Sequence, residues 1–535
     1  MRHPFSIAKR RALSVVGLVV GVAAAGLVTP ALAVPYAWNT PAPIKTPTAA
    51  SDNQKTVFFD VTHGATQGNA DWVIDGAFSD FADALVAAGY TVVEYRGVDD
   101  NDNGVIDFVD DYHHPKNTGR NEARIDYSAI RAGDVFVMAE PNRPLTTAEQ
   151  AALARFVREG GGLYAIADHY NADRNVNTWD ATEVFNGYNR DDDARYNKPA
   201  PYGDLRNPGR ADTGWLATTF GLRYRFNAID WKPGASGVDS ARQTEGVTQG
   251  VAPILMAGGA TLAIVDPSRA KGVVYFSNSD SPAAWGPAVD RGLYFGGRAE
   301  GPYVAIAKAG AGKAAFIGDS SPIEDSTPRY RREENGATKN TYPGWRDAGN
   351  AARLSVNIVN WLATRESYTR FDSAAHPPGQ ATPSPMADVE TTDPDNGFAW
   401  RAPAAGYDAW NPATFAYGAY GAPEGPVRAD PTATTGCNSN ATRVTAARST
   451  PQGQSIQVVG RVLEGVNDPY ALRLGDLAGS ATIVVKLEAG QREMYSPARN
   501  PGIVGQVLEV TGVRDVYAGQ ASIERVSRIT ILQCR

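Results

Sequence analysis

Short apolar runs punctuated by glycine recur through the first two-thirds of the chain, and each ends in a burst of polar side chains. Val57-Phe58-Phe59, within Thr56 to Asp60, leads into Val61-Thr62-His63-Gly64. Ile74, Phe78, Phe81 and Leu85 then recur at helical spacing, which predicts a helix with one face on a sheet, ended by Gly89. Thr91 to Tyr95 is the next strand and completes a β-α-β unit, whose crossover implies parallel strands. Val135 to Met138 is a strand that ends at Glu140-Pro141-Asn142. Thr146 and Glu149 have the spacing of a capping box, and Leu153, Phe156 and Val157 form the buried stripe of the helix it opens. Gly160-Gly161-Gly162 stops that helix, because glycine takes the left-handed C-cap without a Cβ clash. Leu163 to Ala167 reads as a strand covered on both faces, and Asp168-His169-Tyr170-Asn171 follows abruptly.

The pattern then loosens. Residues 171–250 are polar, aromatic and turn-rich, and read as a long surface insertion. Strands resume at Thr261 to Val265, Gly272 to Phe276, Tyr303 to Ala307 and Ala314 to Ile317. A helix with Leu354, Ile358, Trp361 and Leu362 on one side closes this part. Residues 367–436 are dense in proline, alanine, glycine and aromatics without periodicity, and read as a linker or wrap. Trp400, Tyr407, Trp410, Tyr417 and Tyr420 predict that it packs onto something. Residues 443–533 change to an all-β pattern, with strands at Ser455 to Val462, Tyr470 to Leu474, Thr482 to Leu487, Gln506 to Val513 and Ala521 to Ile531. Five short strands in so few residues suit a small closed barrel. The fold class expected is therefore α/β with a mostly parallel sheet in a three-layer sandwich, followed by an all-β barrel.

The N-terminus is excluded from that fold. Arg2, Lys9, Arg10 and Arg11 precede an apolar run from Leu13 to Val28, and Ala31-Leu32-Ala33 has the small-residue pattern of a signal-peptide cleavage site. The boundaries expected are a signal peptide at 1–33, an extended arm at 34–54, the α/β domain at 55–366, the linker at 367–436 and the barrel at 437–535. Secretion, or periplasmic export in a host with an outer membrane, follows, with no later segment apolar enough to span a bilayer. The first 33 residues hold four basic side chains and no acidic one, which shifts the net charge from −7 to −11. Bulk charge therefore holds no nucleic acid, and any such binding needs a local basic face. Cys437 and Cys534 are the only cysteines, and in an oxidising compartment they read as a disulfide enclosing the last domain.

Candidate chemistry gathers at the strand ends. Asp60, His63, Asp168, His169 and Asp319 each follow a strand, as do Glu140 and Asp280. In parallel strands these ends share one edge, where α/β sheets bind ligands. Two imidazoles with several carboxylates can bind a second divalent metal there or act as an acid/base pair. A sharper motif runs from Asp99 to Asp110. Asp99, Asn101, Asn103, the Val105 carbonyl, Asp107 and Asp110 have EF-hand ligand spacing, with Gly104 at the turn and Ile106 packing beneath. Oxygen-only ligands around a glycine turn suit Ca²⁺, and Asp replaces the usual bidentate Glu at the last position. Arg329, Arg331 and Arg332 could hold phosphate or carboxylate groups. In the last domain Arg473, Lys486, Arg492, Arg499 and Arg514, with Tyr470, Tyr495 and Tyr517, could line one binding face.

On Val57 to Gly64, Gly160 to His169, Gly318-Asp319-Ser320-Ser321 and Asn350 to Leu362, residues 55–365 resemble the class I glutamine amidotransferase-like superfamily, which implies a flavodoxin-like sandwich. The resemblance places a cysteine nucleophile after the strand ending at Ala167, but this chain has Asp168-His169 there and no cysteine in the domain, which excludes thiol-based amide hydrolysis. On Arg499 to Gly505, Val510-Thr511-Gly512 and Tyr517, the last domain resembles bacterial OB-fold modules of exported proteins, which implies binding of oligonucleotides or oligosaccharides, or only packing against a neighbouring domain. Together these readings point to a secreted, calcium-binding, metal-assisted hydrolase of a phosphodiester or nucleic acid. The alternatives are a glycan-acting hydrolase and a non-catalytic extracellular binding protein with a degenerate site, each meeting a polymer or small-molecule partner.

Overall fold

The pleat of the central strands divides the apolar side chains between two cores, one on each face of a sheet. A computed structural model of the chain describes residues 42–100, 106, 122–169, 179–190, 197–198, 201–210, 212–286, 292–346, 351–366, 370–386, 406–409, 414–416, 418–422, 441–477, 479–500 and 503–532. The expected signal peptide, the ligand positions Asn101, Asn103, Val105, Asp107 and Asp110, and both cysteines lie outside the described residues.

The first strands are β1 (Thr56–Asp60), β2 (Thr91–Tyr95), β3 (Val135–Ala139) and β4 (Gly162–Ile166). They are followed by β5 (Leu222–Tyr224), β6 (Ile229–Ala235), β7 (Gly237–Val238), β8 (Ile254–Gly259) and β9 (Leu262–Ile264). Next come β10 (Ala270–Tyr275), β11 (Ala283–Ala284), β12 (Pro302–Ala309) and β13 (Gly312–Ile317). The main sheet has the order β7-β10-β12-β13-β4-β3-β1-β2. From β13 to β2 neighbouring strands are parallel, while β12, β10 and β7 continue antiparallel. The mixed α/β class with a mostly parallel sheet is therefore as expected.

Val57, Phe59, Val135, Val137, Tyr164 and Ile166 enter one core, and Phe136, Met138, Leu163 and Ala165 enter the other. That is period-2 alternation in strands buried on both faces. On the first face lie α1 (Ser79–Ala87) and a long helix near residue 360; on the second lies α2 (Thr147–Arg158). Phe59 and Phe81 meet edge to face at 5.5 Å between strand and helix, and burying each such ring stabilises by about 1.5–3 kcal/mol. The capping box opens α2 as expected, with Thr146 and Glu149 bonded reciprocally.

Two expectations need correction. Ile74 and Phe78 are buried, but the helix begins only at Ser79. The Asp71 carboxylate binds the Ala77 amide and a turn closes between Val73 and Gly76, so residues 73–78 bury their side chains from turns instead. Residues 171–250 are not a surface insertion. They contribute α3 (Ala181–Asn186), α4 (Trp215–Phe220) and β5 to β7. Trp179, Phe185, Leu216, Phe220 and Tyr224 complete the second core, and Phe220 packs on Phe316 of β13 with ring centroids 5.6 Å apart. Aromatic side chains too widely spaced for a periodic signal do this burial. The expected strand at Thr261 to Val265 exists as β9, but it pairs with β5 outside the main sheet. The closing helix, α5 (Ala351–Leu362), buries Leu354, Ile358 and Leu362 as expected.

The C-terminal strands are β14 (Ser455–Val466), β15 (Ala471–Gly475), β16 (Thr482–Lys486), β17 (Val507–Tyr517) and β18 (Gln520–Leu532). They pair in the order β14-β15-β16-β18-β17 and return to β14, with only β16 and β18 parallel. This closed ring encloses its own core, including Val458, Leu472, Val485, Leu508 and Ile523. Within residues 367–436, Tyr420 is buried against Tyr330 with ring centroids 4.8 Å apart, and Phe371 is buried as well. Trp400, Trp410 and Tyr417 lie outside the described residues.

Candidate active site

Parallel strands put Asp60, Glu140, Asp168 and Asp319 at one edge of the sheet, because each follows a strand running the same way. Within that edge the five expected site residues fall into two groups with different chemistry.

The first group is a buried ion pair. His63 Nε2 lies 3.3 Å from Glu149 Oε1. Its Nδ1 lies 2.7 Å from Thr62 Oγ1 and 3.7 Å from Asp60 Oδ2. Asp60 Oδ1 accepts from both the amide and the hydroxyl of Thr62, which fixes the turn after β1. Burial alone would lower the His63 pKa, but the Glu149 and Asp60 carboxylates outweigh it and raise the imidazole to about 9. Burial would raise Glu149, yet the His63 charge and the amides of Ile125 and Thr146 bring it down to about 2. His63 is thus cationic and committed at neutral pH. Glu149 was legible only as a capping residue; its second role depends on the β1 turn reaching the first turn of α2, a long-range contact with no local signal.

The second group lines a cavity of about 200 Å³ between the sheet edge and the small sheet β8-β6-β11. Asp168, His169, Asp230, Lys232, Trp285, Glu324 and Tyr342 are among its walls. The His169 ring stacks on the Trp285 indole at 4.3 Å and 25°. Its Nε2 is 3.8 Å from Asp168 Oδ2, and its amide donates to Asp168 Oδ1 at 2.7 Å. Gly258 in β8 has φ +103°, and a Cβ there would lie 3.2 Å from His169 Cδ2 and 3.3 Å from the indole. A left-handed glycine is therefore what lets β8 approach the stacked rings. Asp319 sits just behind the wall, accepting from the amides of Ala257 at 2.5 Å and Ser321 at 2.8 Å. Burial pushes its carboxyl up to about 7 against those donors, and Glu324 adds to the rise. Glu324 accepts from Trp72 Nε1 and the Tyr342 amide, so it braces the cavity.

Asp230, Lys232 and Trp285 were missed by sequence reasoning. The first two lie in the stretch misread as an insertion, where the alternation Ile229-Asp230-Trp231-Lys232 was the available signal. Asp280 lies after β10 but is held by Ser236 and Ser277 in a turn. The arginines expected to hold an anion are engaged elsewhere. Arg329 pairs with Asp75, Arg332 with Glu334, and Arg331 donates to Thr338 Oγ1 and the Arg499 carbonyl.

Among the described residues, the group whose metal-ligand atoms converge within 4.8 Å is Glu245, Glu366 and His376. It lies at the opposite edge, beside the start of β13, and the Lys308 ammonium already sits 2.8 Å from Glu245 and 2.9 Å from Glu366. The expected metal-ligand set of Asp60, His63, Asp168, His169 and Asp319 is split between the ion pair and the cavity instead. Of the calcium loop, Asp99, Asp100 and Ile106 are described: Asp100 pairs with Arg124 at 2.9 Å, and Ile106 packs against the cluster of Val61, Val73, Tyr330 and Tyr420. In the barrel Arg492 lies over the exposed Tyr470 ring at 4.7 Å and Lys486 over Tyr517 at 5.8 Å, while Arg514 is buried on backbone carbonyls.

No protein-family model and no curated protein matches the chain. Among solved structures it is similar to the mmIFT52 N-terminal domain at 12% identity, over 58% of this chain and 97% of that one, with a TM-score of 0.32. It is similar to the cytoplasmic protein STM3548 from Salmonella typhimurium at 10% identity, over 58% and 98%, with a TM-score of 0.27. The hypothetical protein ygiW from E. coli matches over 17% of this chain and 90% of its own, at 19% identity and a TM-score of 0.14.

Proposed function

We propose that the protein is an exported hydrolase whose chemistry resides at His169 and Asp168 in the sheet-edge cavity. The observation that carries this reading is the clamped imidazole: Trp285 fixes its plane, and Asp168 lies beside its Nε2, on the wall of a cavity at the carboxyl ends of parallel strands. An imidazole held so can take a proton from water and return it to a leaving group. Asp168 stands beside the ring, and Asp319 holds the Ala257 and Ser321 wall in place.

The residues fit a direct acid–base route better than a metal-assisted one, because their ligand atoms are divided between two groups. They also fit a glycan better than a phosphodiester. Asp168, Asp230 and Glu324 line the cavity against one lysine and one histidine, so a repeating phosphate chain meets like charge. Sugar hydroxyls, by contrast, donate to carboxylates, and an aromatic wall packs against a sugar's C–H face. A nucleic-acid substrate and a purely binding role remain the rival readings. Calcium binding by the 99–110 loop belongs to the same proposal, supported by Ile106 packing inward as the loop's apolar anchor. So does an OB-type binding role for the barrel, supported by its strand order and by an edge that carries the exposed Tyr470 and the half-buried Tyr517.

The test is a panel of polysaccharides, DNA and RNA incubated with purified protein, with and without chelator. Release of reducing ends that survives chelation is expected. Nuclease activity abolished by chelator would replace the glycan reading with the metal-dependent one.

A further inference from the structure

Strand β6 brings two side chains into the cavity that the hydrolytic chemistry does not use. Asp230 and Lys232 are two residues apart in a strand, so they share a face, and both line the cavity. Lys232 is exposed, with its ammonium 5.5 Å from the centre of the Tyr342 ring, and makes no ion pair among the described residues. Asp230 Oδ1 is buried and has no hydrogen-bond partner among the described residues. A buried acceptor left without a donor is unfavourable, and a ligand donor that reaches it would relieve it. An exposed ammonium and an unsatisfied carboxylate oxygen on the same strand face are complementary to a group that carries one anion beside several hydroxyls.

We propose that Asp230 and Lys232 form a specificity subsite for an acidic sugar residue of the uronate type. Lys232 receives the sugar carboxylate, and Asp230 accepts from a ring hydroxyl. The inference rests on the reading that the cavity takes a glycan, and the cavity's size supports a single-ring subsite, since about 200 Å³ is below the ~300–1,000 Å³ typical of drug-sized pockets. A single ring brings one carboxylate to the cavity, and the one lysine on its wall can meet it.

The experiment is calorimetric titration of the full chain with trigalacturonate, its methyl ester and oligothymidylate, using wild type, Lys232→Ala, Lys232→Arg and Asp230→Asn. Wild type is expected to bind trigalacturonate at least about tenfold more tightly than the ester, a difference of about 1.4 kcal/mol, and the gap should narrow with salt. Lys232→Ala should erase the preference and Lys232→Arg should retain it, with unchanged melting temperatures because the side chain is exposed. Asp230→Asn should weaken both sugars alike. Equal binding of acid and ester, a preference that persists in Lys232→Ala, binding of oligothymidylate alone, or no binding by wild type would each overturn the subsite. Tight, Lys232-dependent binding without cleavage would leave the subsite standing and sink the hydrolase reading. Cleavage of neutral and acidic chains alike would do the reverse.

Discussion

His63 and Glu149 form a pair whose behaviour can be read directly in solution. The imidazole is raised to about 9 and the carboxyl lowered to about 2. A raised folded pKa gives a contribution that is complete below the unfolded value of 6.5 and is lost as pH rises towards 9. A depressed one gives a contribution present above 4.5 and lost as pH falls towards 2. The pair therefore stabilises most between pH 4.5 and 6.5. In Glu149→Gln, burial acts on His63 against the weaker support of Asp60, so its NMR titration is expected to fall well below about 9. Unfolding free energy should drop by roughly 3 kcal/mol or more, since a buried charge loses its partner. A midpoint that stays near 9 in the variant would show that Glu149 does not hold the proton. Gly258→Ala addresses the other group: its positive φ and the stacked rings beside it predict a loss of about 1–3 kcal/mol in urea unfolding. An unchanged curve would mean that β8 can retreat from His169.

At the scale of elements, what was legible followed from local periodicity. The strands β1, β2, β3 and β4 and the capping box of α2 are written in neighbouring residues, and they appear within a residue or two of where the pattern put them. The segment that became α3, α4 and β5 to β7 carries its burial on scattered aromatics, which no short window reads as periodic. The cavity's β6 wall was lost with it. The 99–110 loop makes an element-scale prediction of its own. Added Ca²⁺ is expected to raise the melting temperature by several degrees, and Asp107→Ala to remove that increment, because ion binding to the folded state alone stabilises by mass action. A calcium response that survives in Asp107→Ala would place the ion elsewhere.

On the scale of the whole molecule, the parallel order β13-β4-β3-β1 is what brings four acidic strand ends to one edge. That convergence could be inferred from the sequence, because parallel strands separated by helices share their carboxyl edge. Its division into a committed ion pair and an open cavity could not, because it depends on where α2 and the small sheet dock. Among the described residues no helix is long and apolar enough to cross a membrane. In the proposed hydrolase His169 performs the chemistry of the cavity. That role is tested most directly by the rate of glycan hydrolysis, with chelator present, for wild type against His169→Ala at matched melting temperature. A loss of at least about 100-fold in kcat is the result expected for a positioned acid–base group. A His169→Ala protein as active as wild type would show that the cavity's chemistry lies elsewhere.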